Sequence, residues 1–524
     1  ELIRVAPKEN EAVNECWISD RDRFSYEGVY SEQRLTSPMI KKNGEWTQAS
    51  WDEALTETIK GLKAAGADLG ALLSPASTLE ELFLAQKLVR ALGSEAIDSR
   101  LRQGDFRGEE PRVPWLGQSI EALEKLDAAL LIGSNIRKEQ PLLGHRLRKA
   151  ALEGATISFI NPLELDLNYV AQQQVVSPAG MLDELAAVAK AAGATGALID
   201  SAVVSEQHQA IADSLKSAAN GTLLLGNMAT AHGDFAILRS LAAAIAKACD
   251  VKLGYLPEAA NSVGARLVGA VGTEGNDAQA MLEQPRKAYL LMGIQPGLDL
   301  WNPAKASSAF EQAGFVVAMT AYRSADLDAV ADVLLPTALF VETSGSYVNA
   351  AGTLQSFAGA ITPAGNTRPA WKVLRVLGNL LEVPGFDYIS SEEVLAEIRT
   401  AIAGVTPDNV TADATGLEPQ AGAGGLQRIG DVPIYALDPL VRHAASLQQT
   451  RDAIPAGIYI NSDEAARQGV AAGESAIAVQ DGSRAQLPIF IDPNVPNGCV
   501  RIPAALAGSE MLGAQFGEVT LEKV

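Results

Sequence analysis

Thiols, imidazoles and clustered carboxylates are the side chains that would give this chain chemistry, and one stretch concentrates them. NECWISDRDRFSYEG, residues 14–28, holds Cys16 beside three aromatics, alternating acids and two arginines. A thiolate there would serve as a metal or cluster ligand. An ordinary iron–sulfur cluster takes four thiolates, and the chain has only Cys16, Cys249 and Cys499, far apart and without CxxC spacing. Its histidines, at 145, 208, 232 and 443, are scattered too widely for a histidine-based metal centre. His145 and His232 are conceivable general bases, but neither lies near a Ser or Cys nucleophile with an orienting acid. The inventory therefore assigns no catalytic, cofactor-binding or metal-ligating residue.

Three further segments have spacing worth weighing. IGSNIRKEQPLLGHRLRKA, residues 132–150, ends a strand at a glycine, turns through Asn135 and enters a helix at Pro141. Helix N-terminal amides with Arg137 and Lys138 nearby would favour an anion. Neither GxGxxG nor GxxxxGK[ST] is present, so a tight turn with a solvated basic face is the simpler reading. ADVLLPTALFVETSGSYVNAAGTLQ, residues 331–355, ends a strand at Pro336, sets Glu342 among apolar residues and supplies turns; a buried Glu342 capping a neighbouring turn explains it without a ligand. The glycines of AGAGG, residues 421–425, follow no strand and open no helix, which fits a linker better than a phosphate loop.

The elements that must position these residues read as α/β. Short apolar runs recur before loops and amphipathic helices from about residue 46, the rhythm of parallel strands with crossover helices. Strands are expected at 69–75, 126–135, 155–162, 221–227, 287–293 and 315–321. Helices are expected at 77–93, with Ser77 or Thr78 as N-cap and Gly93 as stop, over 141–154, and over the alanine-rich 235–249. Residues 401–425 lose periodicity and gain Gly, Pro and Thr, so a linker is expected there. Beyond it GIYIN, ESAIAVQ, RAQLPIFI and CVRIPA predict a small β-rich module over 426–524, with DGS at 481–483 as a hairpin turn. Glu1 opens directly into ELIRVAP, a strand-like run without a cap, which suggests a piece of something longer.

Composition narrows the classes. A chain of 524 residues exceeds one hydrophobic core. With 63 acidic and 42 basic residues the net charge is -21, which repels phosphate backbones and makes nucleic acid an unfavourable partner. No apolar run reaches the roughly 18 to 20 residues of a bilayer span, so direct membrane insertion is not expected.

The segments NECWISDRDRFSYEG, LLIGSNIRKEQPLLGHRLRKA and ADVLLPTALFVETSGSYVNAAGTLQ, with RPAWKVLRVLGNLL (368–381) and LDPLVRHAASLQQT (437–450), resemble the large iron–sulfur subunit of respiratory complex I, the NADH-quinone oxidoreductase of bacteria. The resemblance implies α/β domains like those of molybdopterin oxidoreductases, with parallel sheets, crossover helices and a small C-terminal β-rich module. It implies a remnant of the preceding iron–sulfur domain over 1–45, two interleaved α/β domains over 46–400, a linker over 401–425 and the β-rich module over 426–524. It implies a structural, cluster-free part of a subunit whose 4Fe-4S and 2Fe-2S clusters precede it, in a proton-translocating complex passing electrons from NADH to quinone. The implied partners are other peripheral-arm subunits, including the flavin-binding one, at the cytoplasmic side of a bacterial inner membrane.

The rival within the resemblance is an active molybdenum enzyme holding a pterin dinucleotide. Such enzymes commonly bind the metal through Cys, selenocysteine, Ser or Asp, and the corresponding region DSRLRQGDFRGEEPRVPWLG (98–117) has no Cys and no His. Asp98, Ser99 and Asp105 are the substitutes available. Where relatives read Asn-x-Glu-Gly-Arg, this chain has Asn349, Ala350, Ala351, Gly352 and Thr353, which weakens any grip on an anionic cofactor. Some relatives carry a cluster-ligating cysteine directly before the Asp-Arg pair, and here that position is Ser19. Trp17, Phe24 and Tyr26 are then expected to bury aromatic area, and Arg21 and Arg23 to pair with carboxylates, at a domain or subunit boundary, making the segment an anchor.

Overall fold

A computed structural model describes residues 2–420 and 425–524; residues 421–424, most of the AGAGG run, lie outside the described residues. Two sheets carry the α/β region. The first has seven strands in the order Glu45–Gln48, Met39–Lys42, Val333–Pro336, Phe315–Thr320, Ala288–Met292, Leu69–Leu73 and Ile97–Asp98, with Met39–Lys42 alone antiparallel to its neighbours. The second has five parallel strands in the order Gln172–Val175, Thr156–Asn161, Ala128–Ile132, Gly221–Leu225 and Lys252–Tyr255.

The central strands are apolar at nearly every position because helices cover both faces. Leu69–Leu73, Ala128–Ile132, Gly221–Leu225 and Ala288–Met292 are buried along their whole length. The helix Leu79–Ala91 starts in a capping box, with the Thr78 hydroxyl accepting from the Glu81 amide and the Glu81 carboxylate accepting from the Thr78 amide. Just beyond it, Gly93 takes φ +89, the left-handed backbone that ends a helix at low cost. Pro141 opens Pro141–Leu152 at its first turn, where a missing N–H is harmless.

In each sheet the strand order reverses beside the first parallel strand entered. Leu69–Leu73 is flanked by Ile97–Asp98 and Ala288–Met292, and Ala128–Ile132 by Thr156–Asn161 and Gly221–Leu225. Loops leaving the carboxyl ends of such strands diverge and leave a crevice. A closed six-stranded barrel follows, formed by Leu426–Ile429, Cys499–Arg501, Ile458–Ile460, Ser483–Ile491, Ser475–Gln480 and Phe516–Lys523.

Three local expectations change. ELIRVAP forms no strand over its described residues, finding no partner strand among the described residues to pair with. Met39–Lys42 and Glu45–Gln48, unforeseen from sequence, make a hairpin through Asn43 (φ 52) and Gly44 (φ 83), and Met39–Lys42 pairs with Val333–Pro336. Two barrel strands, Leu426–Ile429 and Phe516–Lys523, are likewise not evident in the sequence pattern. Residues 408–420 cross the α/β body in contact with it: Asn409 exchanges hydrogen bonds with Trp115 and reaches Leu253, and Gln420 bonds to Gly233 and Asp234.

Candidate functional site

The carboxyl-terminal loops of both sheets converge on a cavity of about 350 Å³. Ile294 and Asp299 reach it from the first sheet, Glu139 and Gln140 from the second. Gly133, at the switch point of the second sheet, sets the approach. Its φ is +57, and an added Cβ would lie 2.3 Å from the Ala229 amide nitrogen, so only glycine lets the 132–135 turn pack against the next loop.

Two buried ionic networks occupy the loops around this crevice. In the first, Arg102 binds Glu258 at 3.0 Å and Asp299 at 2.9 Å, and Arg442 grips both Asp299 oxygens at 2.9 Å. Two guanidiniums meet two carboxylates, and burial still pushes the Glu258 carboxyl up. The network joins three strand-end loops to the connection between the barrel strands Leu426–Ile429 and Ile458–Ile460, where Arg102 also donates to the Leu437 carbonyl.

The second network centres on Glu110. Arg266 lies 2.7 Å from its carboxylate, Arg100 3.1 Å and Arg239 3.4 Å. Burial works to raise the Glu110 carboxyl, and the three guanidiniums override it and hold it well below the usual carboxylate range. Arg100 also clamps Asp98 at 2.6 Å.

Several residues singled out from sequence lie at the crevice already engaged. Asp98 accepts from the Ser99 and Arg100 amides, the Arg100 guanidinium and the Ala278 amide. Asp105 accepts from Arg107 and the Ala236 amide. Ser99 is buried. Arg137 pairs with Asp166 at 2.9 Å and Lys138 with Asp452 at 2.7 Å, so the basic face of the 132–150 turn is spent on the chain's own acids. Glu139 projects to the cavity, accepts only the Asn135 amide at 3.2 Å among the described residues, and is pushed up to about 8 by burial, with Asp431 adding to the shift.

Asn349 closes its own turn: its side-chain oxygen accepts from the Ala351 and Thr353 amides, and Gly352 takes φ +80. Glu342 is buried, bound to Arg34 at 2.7 Å, and caps the Leu339 and Ala364 amides. His232 is buried, accepts from the Asp234 amide and donates to the Pro178 carbonyl, and burial lowers its pKa. His145 sits against Trp17, with Glu15 3.6 Å away.

The opening segment rims the cavity through Ser19, Arg21 and Asp22. Ser19 caps the helix Asp20–Phe24, accepting from the Asp22 amide at 3.1 Å and donating to its carboxylate at 2.5 Å. Cys16 is exposed, and Cys249 and Cys499 are buried elsewhere. Trp17 is 53% exposed and Phe24 39%, and Tyr26 is half-buried. Within this chain Trp17 packs on His145 while Trp17 and Phe24 keep exposed surface. Arg21 reaches Asp22 only at 3.8 Å.

The ionic networks were not legible in the sequence, because their members come from loops that only the fold brings together. The one available signal was the density of alternating Arg, Asp and Glu in residues 98–112.

Residues 34–380 match the family model of molybdopterin oxidoreductase, and residues 1–27 that of the NADH-ubiquinone oxidoreductase NDSU1/NuoG-like, 4Fe-4S domain. The chain belongs to the molybdopterin oxidoreductase family, and its fold of parallel-sheet α/β domains with a closed six-stranded barrel is that class. Its curated homologues are the 75 and 78 kDa subunits of NADH-ubiquinone oxidoreductase and the corresponding NuoG-type subunit of NADH-quinone oxidoreductase. It is 28% identical over 422 residues to the mitochondrial NADH-ubiquinone oxidoreductase 78 kDa subunit of Neurospora crassa, covering 77% of this chain and 52% of that protein. It is 29% identical over 419 residues to the corresponding NADH-quinone oxidoreductase subunit of Rickettsia bellii, covering 77% of this chain and 54% of that protein. The chain thus spans about half the length of the curated relatives it matches. Among solved structures, acetylene hydratase from Pelobacter acetylenicus superposes with a TM-score of 0.61 at 13% identity, over 99% of this chain and 96% of that one, a likeness of fold.

The family implies a pterin dinucleotide and its metal, and the residues present do not fit them. The two aspartates near the expected metal position are saturated by arginine and backbone donors. The guanidiniums of the crevice are bound to the chain's own carboxylates. The cavity sits at the low end of the roughly 300–1,000 Å³ typical for a single small ligand, with an unpaired acid on its wall. A 4Fe-4S cluster does not fit this chain's donors alone either: among the described residues no three His, Cys, Asp or Glu side chains are grouped to hold a metal. Among the same residues no helix is long and apolar enough to cross a membrane.

Proposed function

We propose that this chain is the body of the large iron–sulfur subunit of an NADH-quinone oxidoreductase, and that it acts as a scaffold of the peripheral arm of respiratory complex I. In this reading the clusters that carry electrons from NADH, by way of a flavin-binding subunit, toward quinone are held by residues outside this chain. The chain keeps donors and acceptors at fixed separation on the cytoplasmic face of a bacterial inner membrane. Residues 1–45 are its junction with the cluster domains, 46–400 its α/β body, 401–425 a linker and 426–524 its β-rich module.

The observation that carries the proposal is the pairing inside the crevice. Where Arg102 and Arg442 are neutralised by Glu258 and Asp299 across four segments, the loops are fixed by one another and not by a ligand. Such a crevice retains the rigidity of the fold without its chemistry. Ser19 supports the same view, since its hydroxyl holds the helix start where the resemblance places a ligand thiolate.

The test is co-expression of the full-length subunit with the flavin-binding and neighbouring cluster-binding subunits. A stable complex whose clusters are reduced by NADH is expected. A polypeptide that purifies alone with complete oxidoreductase activity would overturn the proposal.

A further inference from the structure

The cavity of about 350 Å³ where the two sheets converge is acidic. Asp22, Glu139, Glu258, Asp299 and Asp438 line it against Arg21 and Arg102, and Arg442 joins Asp299 from behind. Arg102 and Arg442 are matched by Glu258 and Asp299, and Arg21 lies 3.8 Å from Asp22. Glu139 and Asp438 are left over, since neither forms an ion pair among the described residues. Asp438 is the N-cap of Pro439–Arg442, where it accepts from the Val441 amide. Neighbouring pairs are one to one, Lys138 with Asp452, Arg501 with Asp431 and Arg34 with Glu342, so they leave the balance as it is.

Of the two leftover acids Glu139 is the open one. It stands where this cavity meets two more, of about 30 and 240 Å³. Its Oε2 accepts the Asn135 amide, while its Oε1 accepts from nothing among the described residues and keeps accessible surface. Burial and the Asp431 charge push it up to about 8, with no cation to offset them. Much of the remaining wall is aliphatic, with Leu101, Ile120, Leu143 and Ile294 all buried and Pro141 and Pro257 beside them. Among the described residues no Phe, Tyr or Trp lines it.

We infer that this cavity binds an organic monocation, a primary amine on an apolar body, with its ammonium on Glu139 and its body against the aliphatic wall. Volume sets the size: 350 Å³ is about the share of a dozen waters at roughly 30 Å³ each, which gives a ligand of about a dozen heavy atoms. The unmatched carboxylates repel an anion. An inorganic dication needs about six oxygens, and no three carboxylates are grouped for one among the described residues. A quaternary ammonium needs aromatic faces, which this wall lacks. When the protonated amine enters, the Glu139 carboxyl releases its proton to solvent and the carboxylate accepts from the ammonium N–H, a charge-assisted bond that replaces an unpaired buried acid. The inference is independent of the scaffold role, since the amine displaces none of the arginine pairs that fix the loops.

The experiment is isothermal titration calorimetry of the 524-residue chain with tryptamine and with phenylbutylamine, at constant ionic strength and in two buffers of different ionisation enthalpy. One saturable site is expected, with close to one proton released per amine at about pH 7 and an affinity that rises up to tenfold per pH unit until about pH 8. Tryptophol, which carries a hydroxyl in place of the ammonium, is expected to bind at least tenfold more weakly, and indoleacetate not at all. Glu139→Gln preserves the side chain's shape and is expected to weaken amine binding at least tenfold and to end the proton release, its urea midpoint serving as the folding control. Should that variant fail to fold, the comparison of tryptamine with tryptophol decides alone. No saturable site for either amine would overturn the inference, as would equal amine affinity in folded Glu139→Gln or tryptophol binding as tightly as tryptamine.

Discussion

Replacing Glu139 by Gln is expected to make the chain more stable at neutral pH, by a margin that shrinks as the pH falls toward about 4.5. The carboxyl faces the crevice with one backbone donor and no cation among the described residues, because neighbouring Lys138 is committed to Asp452. Burial lifts its pKa from the ordinary 4.5 to about 8. A carboxyl raised in the folded state holds its proton there, while the unfolded chain releases it above about 4.5. Stability is therefore fully present below that pH and lost as pH rises toward 8, by about 1.4 kcal/mol per pH unit at most. Water entry and relaxation reduce this, so about 2 kcal/mol is expected between about pH 5.5 and 7.5. Glu81, raised to about 7 by burial, slopes the same way in both proteins and cancels in the difference. The assay is the urea midpoint of both proteins at about pH 5.5, 6.5 and 7.5. Curves that stay parallel, or a Gln variant less stable at the highest pH, would refute the reasoning.

Other perturbations test the same crevice. Glu110→Ala leaves Arg239 and Arg266 without an acid partner among the described residues, Arg100 keeping Asp98, and is expected to cost about 3–5 kcal/mol in denaturant unfolding, as breaking a buried pair generally does. Gly133→Ala forces a Cβ into the Ala229 backbone at a positive φ and is expected to cost more than about 1 kcal/mol, seen as a lowered Tm.

The α/β body was legible because its central strands are buried on both faces and so read as continuous apolar runs, each followed by a helix with a recognisable start such as Thr78 or Pro141. The Met39–Gln48 hairpin carried a readable Asn43-Gly44 turn, but its strands alternate weakly at the sheet edge, where Glu45, Thr47 and Gln48 face solvent. Phe516–Lys523 was hidden similarly, since five of its eight residues are exposed, three of them charged, and only closure of the barrel makes them a strand. Arg442, Asp299 and Arg102 have no local signature at all. Only the convergence of separate loops turns three ordinary surface-type residues into a buried network.

Molybdenum, tungsten and pterin content of the purified chain test the self-filled crevice most directly, by elemental mass spectrometry together with fluorescence of the oxidised pterin. Neither metal and no pterin above trace amounts is expected. One metal ion with stoichiometric pterin dinucleotide per chain would mean that Arg102, Arg442 and their carboxylates open to admit a cofactor, and would contradict the assignment.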